Sequence, residues 1–540
     1  MNKIVKYGLL GAGALVGVAV AGGVYLAATF NPNDYKAQII QTVQDSKHRT
    51  LHLDGDIKLS FFPSIGANLG KVSLSEFKSD QTFVSVETAR VSLALLPLLS
   101  KQVVVNEVTV SGLSATLIKH RDGTTNIDDL LNKDQKPSDS KQPVKFDIAA
   151  VNIEKTSLTY RDEGTGAQYA IKDLQLKTGR IANGVPGKIN LSVGIQATQP
   201  KLDITTQLAT TLTFDLEKQQ YQLKDMDLKV AGSALDFTGL DIKAFGDAGA
   251  NLATQEFSAN KFELTAKGNR AQAPFEAVLN APALNFAKDK FSGENVKFNA
   301  KLDSGNIVAV LTLPDISGNA HAFKVSSLAL DLTAQMPDQA FKVKLTSPLS
   351  GNFNEKQFNL SDLKLAVNAT SDKLPGKSVS SEMAGSVQVD ATKQTVRANL
   401  AGGLLQSRIK AKIGVNGFAS PAISFDVDVD QFDADLYLPK KTEAKSNQPE
   451  QPLDLSALRA LNLEGSLRIG LLTVANIKSS GVRLDVKAHK GQVNISPLSA
   501  SLYQGSMNGS LSVNAQATPQ VSINQSMKGI NVAALTSSHP

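Results

Sequence analysis

From Leu51 to Leu438 apolar residues recur at every second position, segment after segment, and that period excludes most folds open to a chain of this size. Leu51 and Leu53, then Ile57, Leu59 and Phe61, begin it; Ile189, Leu191, Val193 and Ile195 form one clean segment; Ile423, Phe425, Val427 and Val429 form the last long one. Alternation sustained over roughly four to eight residues marks a strand with one apolar and one wet face. Gly, Asn, Asp and Lys fall between segments at intervals of about 8–15 residues, which suits antiparallel meanders. The expected fold is therefore mainly β: a long rolled antiparallel sheet. At 540 residues the chain exceeds one ordinary core, so it is either several domains or one elongated repetitive structure.

The chain opens differently. From Tyr7 to Asn33 there is no charge, and Gly8 to Phe30 is almost wholly Gly, Ala, Val and Leu, including Leu15, Val20 and Leu26. A helix of that length would be about 34 Å long, against a bilayer core of roughly 30 Å. The run is longer than the apolar core of a secretory signal. It reads as an uncleaved transmembrane anchor at 1–33, with Lys3 and Lys6 on the cytoplasmic side. Pro32 ends the span, and 34–47 fits a short amphipathic helix with Tyr35, Ile39 and Val43 on the packed face and Lys36 on the wet one. That helix either lies on the membrane or covers the open end of the sheet; the second is our preference.

The remaining boundaries follow composition. Residues 34–132 hold this helix and the first strands. Residues 133–143 form a polar linker, 144–438 the repetitive sheet, 439–453 a second polar linker, and 454–540 a last β region opened by a helical turn at Leu455, Leu458 and Leu461. Inward positions of the alternation, taken as candidate groove-lining residues, are Leu191, Val193, Ile195, Phe214, Leu216, Phe298, Leu302, Phe425, Val427 and Val429.

Chemistry-bearing patterns are scarce. Cysteine is absent, which removes disulfides, thiolate metal sites and a Cys nucleophile. His48 and His52 straddle the change from helix to strand, where i, i+4 spacing does not converge. Asp426, Asp428 and Asp430 alternate along a strand about 7 Å apart, too far apart to share one calcium. No nucleophile elbow, phosphate loop or zinc-protease helix is present. We therefore assign no catalytic residue, metal ligand or cofactor and do not expect an enzyme. The net charge of +6 is scattered and aromatics are 6% of residues, so no nucleic-acid surface is expected. The alternation alone leaves two readings open: stacked sandwiches whose apolar faces meet, or an open trough able to solvate acyl chains.

Several stretches then resemble the AsmA family of bacterial envelope proteins. They are Phe30-Asn31-Pro32-Asn33-Asp34-Tyr35-Lys36 after a single span, Arg49-Thr50-Leu51-His52-Leu53-Asp54-Gly55-Asp56-Ile57, and Asn126-Ile127-Asp128-Asp129-Leu130-Leu131. Phe432-Asp433-Ala434-Asp435-Leu436-Tyr437-Leu438-Pro439 and Pro497-Leu498-Ser499-Ala500-Ser501-Leu502-Tyr503-Gln504-Gly505 continue the likeness. The middle, roughly 180–400, matches in style only. Lys47-His48-Arg49 stands where the family often has Thr-Gly-Arg, and the family usually continues through further strands beyond the equivalent of Pro540, so the resemblance implies a short or truncated member. It also implies an inner-membrane anchor, a periplasmic body, a chorein-like lipid-carrying groove, phospholipid and envelope assembly proteins as partners, and a role in outer-membrane assembly. A structural factor assisting outer-membrane protein assembly without carrying lipid is the alternative.

Overall fold

The structure, a computed structural model, describes residues 31–60, 64–94, 105–131, 147–372, 374–437, 456–515 and 520–531. The predicted span, with Gly8, Leu15, Val20, Leu26 and Phe30, lies outside the described residues, as do both polar linkers. No helix among the described residues is long and apolar enough to cross a membrane. The described chain is mainly β and divides into two compact units, Met1–Ala277 and Val278–Pro540.

In the first unit the chain enters through a 3-10 turn, Pro32–Tyr35, capped by the Asn31 side chain. Asn33 then uses its side-chain amide as a strand would: Oδ1 accepts the Ile57 N–H at 2.9 Å and Nδ2 donates to the Ile57 carbonyl at 3.2 Å. Helix α1, Lys36–Lys47, ends at His48, whose backbone is left-handed. Its packed face differs from the expected one. Lys36, Ile40, Val43 and Lys47 are half-buried, whereas Tyr35 and Ile39 are exposed. The lysine stems cover apolar surface while their ammonium groups reach acceptors: Lys36 pairs with Asp56 at 3.7 Å, and Lys47 donates to the Asp129 carbonyl at 3.5 Å.

The first strands are short: β1 Leu51–Leu53, β2 Lys58–Ser60, β3 Ser64–Leu69, β4 Val72–Ser75, β5 Thr82–Val86, β6 Thr88–Ala94, β7 Val105–Ser111 and β8 Ser114–Lys119. Strand β9, Asp147–Asp162, runs parallel to both β7 and β8, pairing with β7 along its first half and β8 along its second. Gly112, at φ +66°, separates β7 from β8 and donates its N–H to the Glu154 carbonyl of β9. From β9 an antiparallel meander continues through Gln168–Thr178, Gly187–Ala197, Leu202–Asp215, Gln220–Ala234, Phe237–Asn251 and Glu256–Arg270.

In the second unit, hairpin-connected strands run from Lys290–Leu302 to Ala422–Asp433. Asn462–Val474 then pairs parallel with Ala422–Asp433, and the antiparallel order resumes to Gln520–Lys528. The expected sheet was antiparallel throughout; three described pairings are parallel. They occur in two places, and each brackets a polar linker. A parallel partner needs a crossover of about a dozen residues or more, which a two-residue hairpin does not supply. The linkers supply that length.

Most strands of the two long runs hold 10–16 residues, longer than the segments legible by period. Bulges account for the difference. Asp173, Asp225 and Asp362 have φ of 47°, 49° and 48°. Each sits where a register slips by one residue, between Lys172 and Gln175, Leu223 and Met226, and Leu360 and Leu363. A bulge inserts one unpaired residue and reverses the phase of the alternation, and Asp tolerates the left-handed conformation better than most side chains.

Candidate functional site

The register places apolar residues side by side across many strands. In the first unit one row runs Leu69, Ala89, Val110, Ile153, Leu176, Leu191, Leu208, Leu228, Ala244, Leu264, one residue from each of ten strands. In the second unit one row runs Phe298, Leu311, Leu330, Leu345, Leu365, Met383, Gly402, Ile409, Val429, Ile469, Val482. Each neighbouring pair on such a row contributes roughly 0.2–1 kcal/mol to the sheet. The rows make each unit's sheet apolar on one face.

That face is not covered as a core would be. In the first row only Ala244 is buried, at 2% exposure, and the other nine are half-buried. In the second row burial is confined to Ile469 and Val482, which belong to a small core with Ala500. Two sheets packed face to face would bury such positions in a layer about 10 Å thick. The opposite face is charged and wet. Lys412 stands opposite Asp426 and Lys410 opposite Asp428. Asp428 receives Arg468 Nε at 2.5 Å, and Asp426 also bonds the Arg468 guanidinium. Hydrogen bonding to Arg468 holds the Asp428 carboxyl below the usual range.

The residues singled out by alternation fall as follows. Leu191 and Val429 lie on the two rows above. Val193 and Ile195 stand on neighbouring rows, opposite Thr206 and Ile204. Phe214 is buried opposite Tyr221, and Leu302 lies opposite Ile307. Phe425 and Val427 pair with Ile413 and Ala411 on one side, and with Gly465 and Leu467 on the other. Leu216 lies in the turn after Leu202–Asp215, 49% exposed, its N–H bonded to Asn183 Oδ1 at 2.7 Å. The row members Leu176 and Leu228 were missed because each follows a bulge that shifts the phase.

A second feature is charged and buried. Arg49 has no exposed surface. Its guanidinium makes a bidentate pair with Asp129, Nε to Oδ2 and Nη2 to Oδ1, both at 2.6 Å. It also donates to the carbonyls of Ser75 at 2.7 Å and Asn126 at 2.5 Å, and lies 5.1 Å from the Phe83 ring centroid. The Asn126 side chain bonds Ile118, Thr116 and Glu76. One arginine thus ties the end of α1, the β4–β5 connection and the 125–130 turns together. The Arg49 bond holds the Asp129 carboxyl below its ordinary range.

The aspartates near the second linker each have local tasks. Asp430 accepts the N–H groups of Arg408 and Gln431, and Asp435 accepts those of Ala475 and Asn476. Among the described residues, no group of three or more His, Cys, Asp or Glu is placed to hold a metal ion.

The family model "AsmA family" matches residues 1–539. "Protein AsmA" of Escherichia coli (strain K12) is 26% identical over 235 residues, covering 40% of this chain and 37% of that relative. No solved structure matches the chain. With the model matching almost every residue, the chain belongs to the AsmA family.

Proposed function

We propose that this protein is anchored in the bacterial inner membrane by residues 8–30, extends into the periplasm, and carries phospholipid along its apolar sheet face towards the outer membrane, supporting outer-membrane assembly. The observation that carries this reading is the half-burial of the apolar rows. Long runs of Leu, Val and Ile side chains keep part of their surface open, and exposed apolar area on that scale marks a binding site. Acyl chains are the occupant because the rows offer neither charge nor hydrogen-bond donors. No covalent step is required: tails slide over the apolar positions while head groups stay in water.

Site-specific photo-crosslinking tests the proposal. A benzophenone amino acid is placed in the full-length protein at Phe298 or Val427 on the apolar face, and at Lys297 or Asp428 on the polar face. Phospholipid adducts are expected at the first pair and not at the second. Adducts to envelope assembly proteins at both faces, without lipid, would replace this reading with that of an assembly factor.

A further inference from the structure

The strand Gln520–Lys528 is hydrogen-bonded on one side only. Its partner among the described residues is Gly505–Asn514, in an unbroken antiparallel register from Ser506 opposite Lys528 to Asn514 opposite Gln520. Val521, Ile523 and Met527 share one face, beside Val513, Leu511 and Met507. They are 57%, 66% and 58% exposed, the most exposed large apolar side chains within any described strand. Their three neighbours are half-buried, so the exposure comes from the open edge rather than from the face.

The backbone groups on that edge belong to the odd-numbered residues. Leu502 opposes Gly505 across the two-residue turn Tyr503-Gln504, in which both turn residues have positive φ. The pair closing such a turn is hydrogen-bonded. Alternation then points Gly505, Met507 and Gly509 at the preceding strand, and Ser506, Asn508 and Ser510 at Gln520–Lys528. Consistently, a Cβ on Gly509 would collide with the Asn524 carbonyl oxygen, which therefore faces inward. Val521, Ile523, Gln525 and Met527 are left presenting N–H and C=O to the open side. Edges are usually blunted by shortness, lysine, proline or a bulge. This one is nine residues long, has no proline and no register shift, and carries one charge, Lys528, at its end.

We propose that the edge pairs with a second copy of itself: residues 520–528 of two chains run antiparallel about a two-fold axis at Asn524. The strand is nearly a palindrome about that residue. Asn524 falls opposite itself, Ser522 opposite the partner's Ser526, and Val521 opposite the partner's Met527. Lys528 falls opposite the partner's Gln520, so no like charges meet. Ile523 against the partner's Gln525 is the one unlike pair. The odd-numbered residues with open backbone groups stand opposite one another, as an antiparallel ladder requires. A contact of this kind uses one patch twice and closes at two copies. The inference does not depend on the lipid-carrying reading.

The chain has no cysteine, so single cysteines in the full-length protein report the pairing. Asn524→Cys places two Cα atoms about 4.5 Å apart across the axis, inside the disulfide range of about 4.4–6.8 Å, on an exposed side chain. Mild oxidation is expected to give a disulfide dimer. Ser526→Cys alone lies about 13 Å from its mate and is expected to give none; co-expressed with Ser522→Cys it gives the mixed dimer. Gln525→Pro removes an outward N–H and spares the ladder to Gly505–Asn514, and in the Asn524→Cys protein it abolishes the disulfide. Asn524→Lys, which alters no backbone group, sets two ammonium groups face to face and is expected to sediment as a monomer where the parent sediments as a dimer. A parent that sediments as a monomer, equal disulfide yield at 524 and 526, or dimers that survive both Gln525→Pro and Asn524→Lys overturn the inference. So does a disulfide from position 524 to a different protein, which would make that protein the occupant.

Discussion

The region around α1 and the long meanders solve the same problem with opposite means. In 31–131 the strands hold 3–7 residues, and one fully buried arginine reaches a carboxylate and two carbonyls on separate segments. In the meanders the strands are two to three times longer, and stability comes from repeated side-by-side apolar pairs of nearly interchangeable residues. The first is a specific junction, where one side chain has many partners. The second is a generic ladder, where each residue has equivalent neighbours and the loss of one is shared. A repetitive sheet cannot define its own beginning, so a distinct structure has to end it.

The sharpest way to break this comparison is at Arg49. Removing one partner of a buried, hydrogen-bonded charge pair costs roughly 3–5 kcal/mol, because the other charge stays buried and alone. Arg49→Ala is expected to cost this much, and Arg49→Lys nearly as much, since an ammonium does not reproduce the bidentate fork. Hydrogen exchange should locate the damage in 31–131 and leave the second unit protected, as expected when neighbours interact only locally. Loss of protection in both units would refute the contrast. Acid acts on the same pair. The Asp129 pKa is depressed in the folded state, so its contribution is full above the ordinary carboxylate value of about 3.9 and is lost as pH falls below it. Protection in 31–131 should fail on acidification before that of the meanders.

Within the ladder, a single site gives a smaller effect. Gly351→Ala puts a methyl group against the Phe323 ring and 2.5 Å from the Gln357 carbonyl. Overpacking of this kind costs about 1–3 kcal/mol. Shortening the ring in the same protein, Phe323→Leu, should recover part of that loss in thermal unfolding. No recovery would mean that the backbone contact with Gln357, not the ring, sets the need for glycine.

How much of this was legible in the sequence follows the same division. Period-two alternation carried the sheet, the face polarity and positions such as Leu191 and Val429, because each depends only on near neighbours. The Arg49–Asp129 pair was not legible, although both residues lie in stretches that drew notice, because their 80-residue separation leaves no periodic trace. The parallel pairings were hidden in linkers whose only signal was polarity. Strand length was hidden by bulges: alternation reads as two short strands when an aspartate in the left-handed region resets its phase. That account predicts a cost of about 1–2 kcal/mol for Asp362→Val, since a β-branched residue resists the positive φ, and little or none for Asp362→Gly. Equal destabilisation by both would point to the carboxylate rather than the backbone.

The smallest effect is expected where the interaction looks strongest on paper. Arg468 bonds two aspartates across the parallel pairing next to the second linker, and both partners raise its pKa. Yet its side chain is 39% exposed and those of Asp426 and Asp428 are 46% and 52% exposed. Water already solvates these charges, so such pairs add little net stability, and that little falls with salt. Arg468→Ala should therefore lower stability far less than Arg49→Ala does, with the difference shrinking at high ionic strength. The contrast with Arg49 is one of burial, since both guanidiniums hold carboxylates at comparable distances. If Arg468→Ala proved as damaging as Arg49→Ala, the parallel seam would be a second junction of the specific kind, and the ladder would be two ladders joined by a charged clasp.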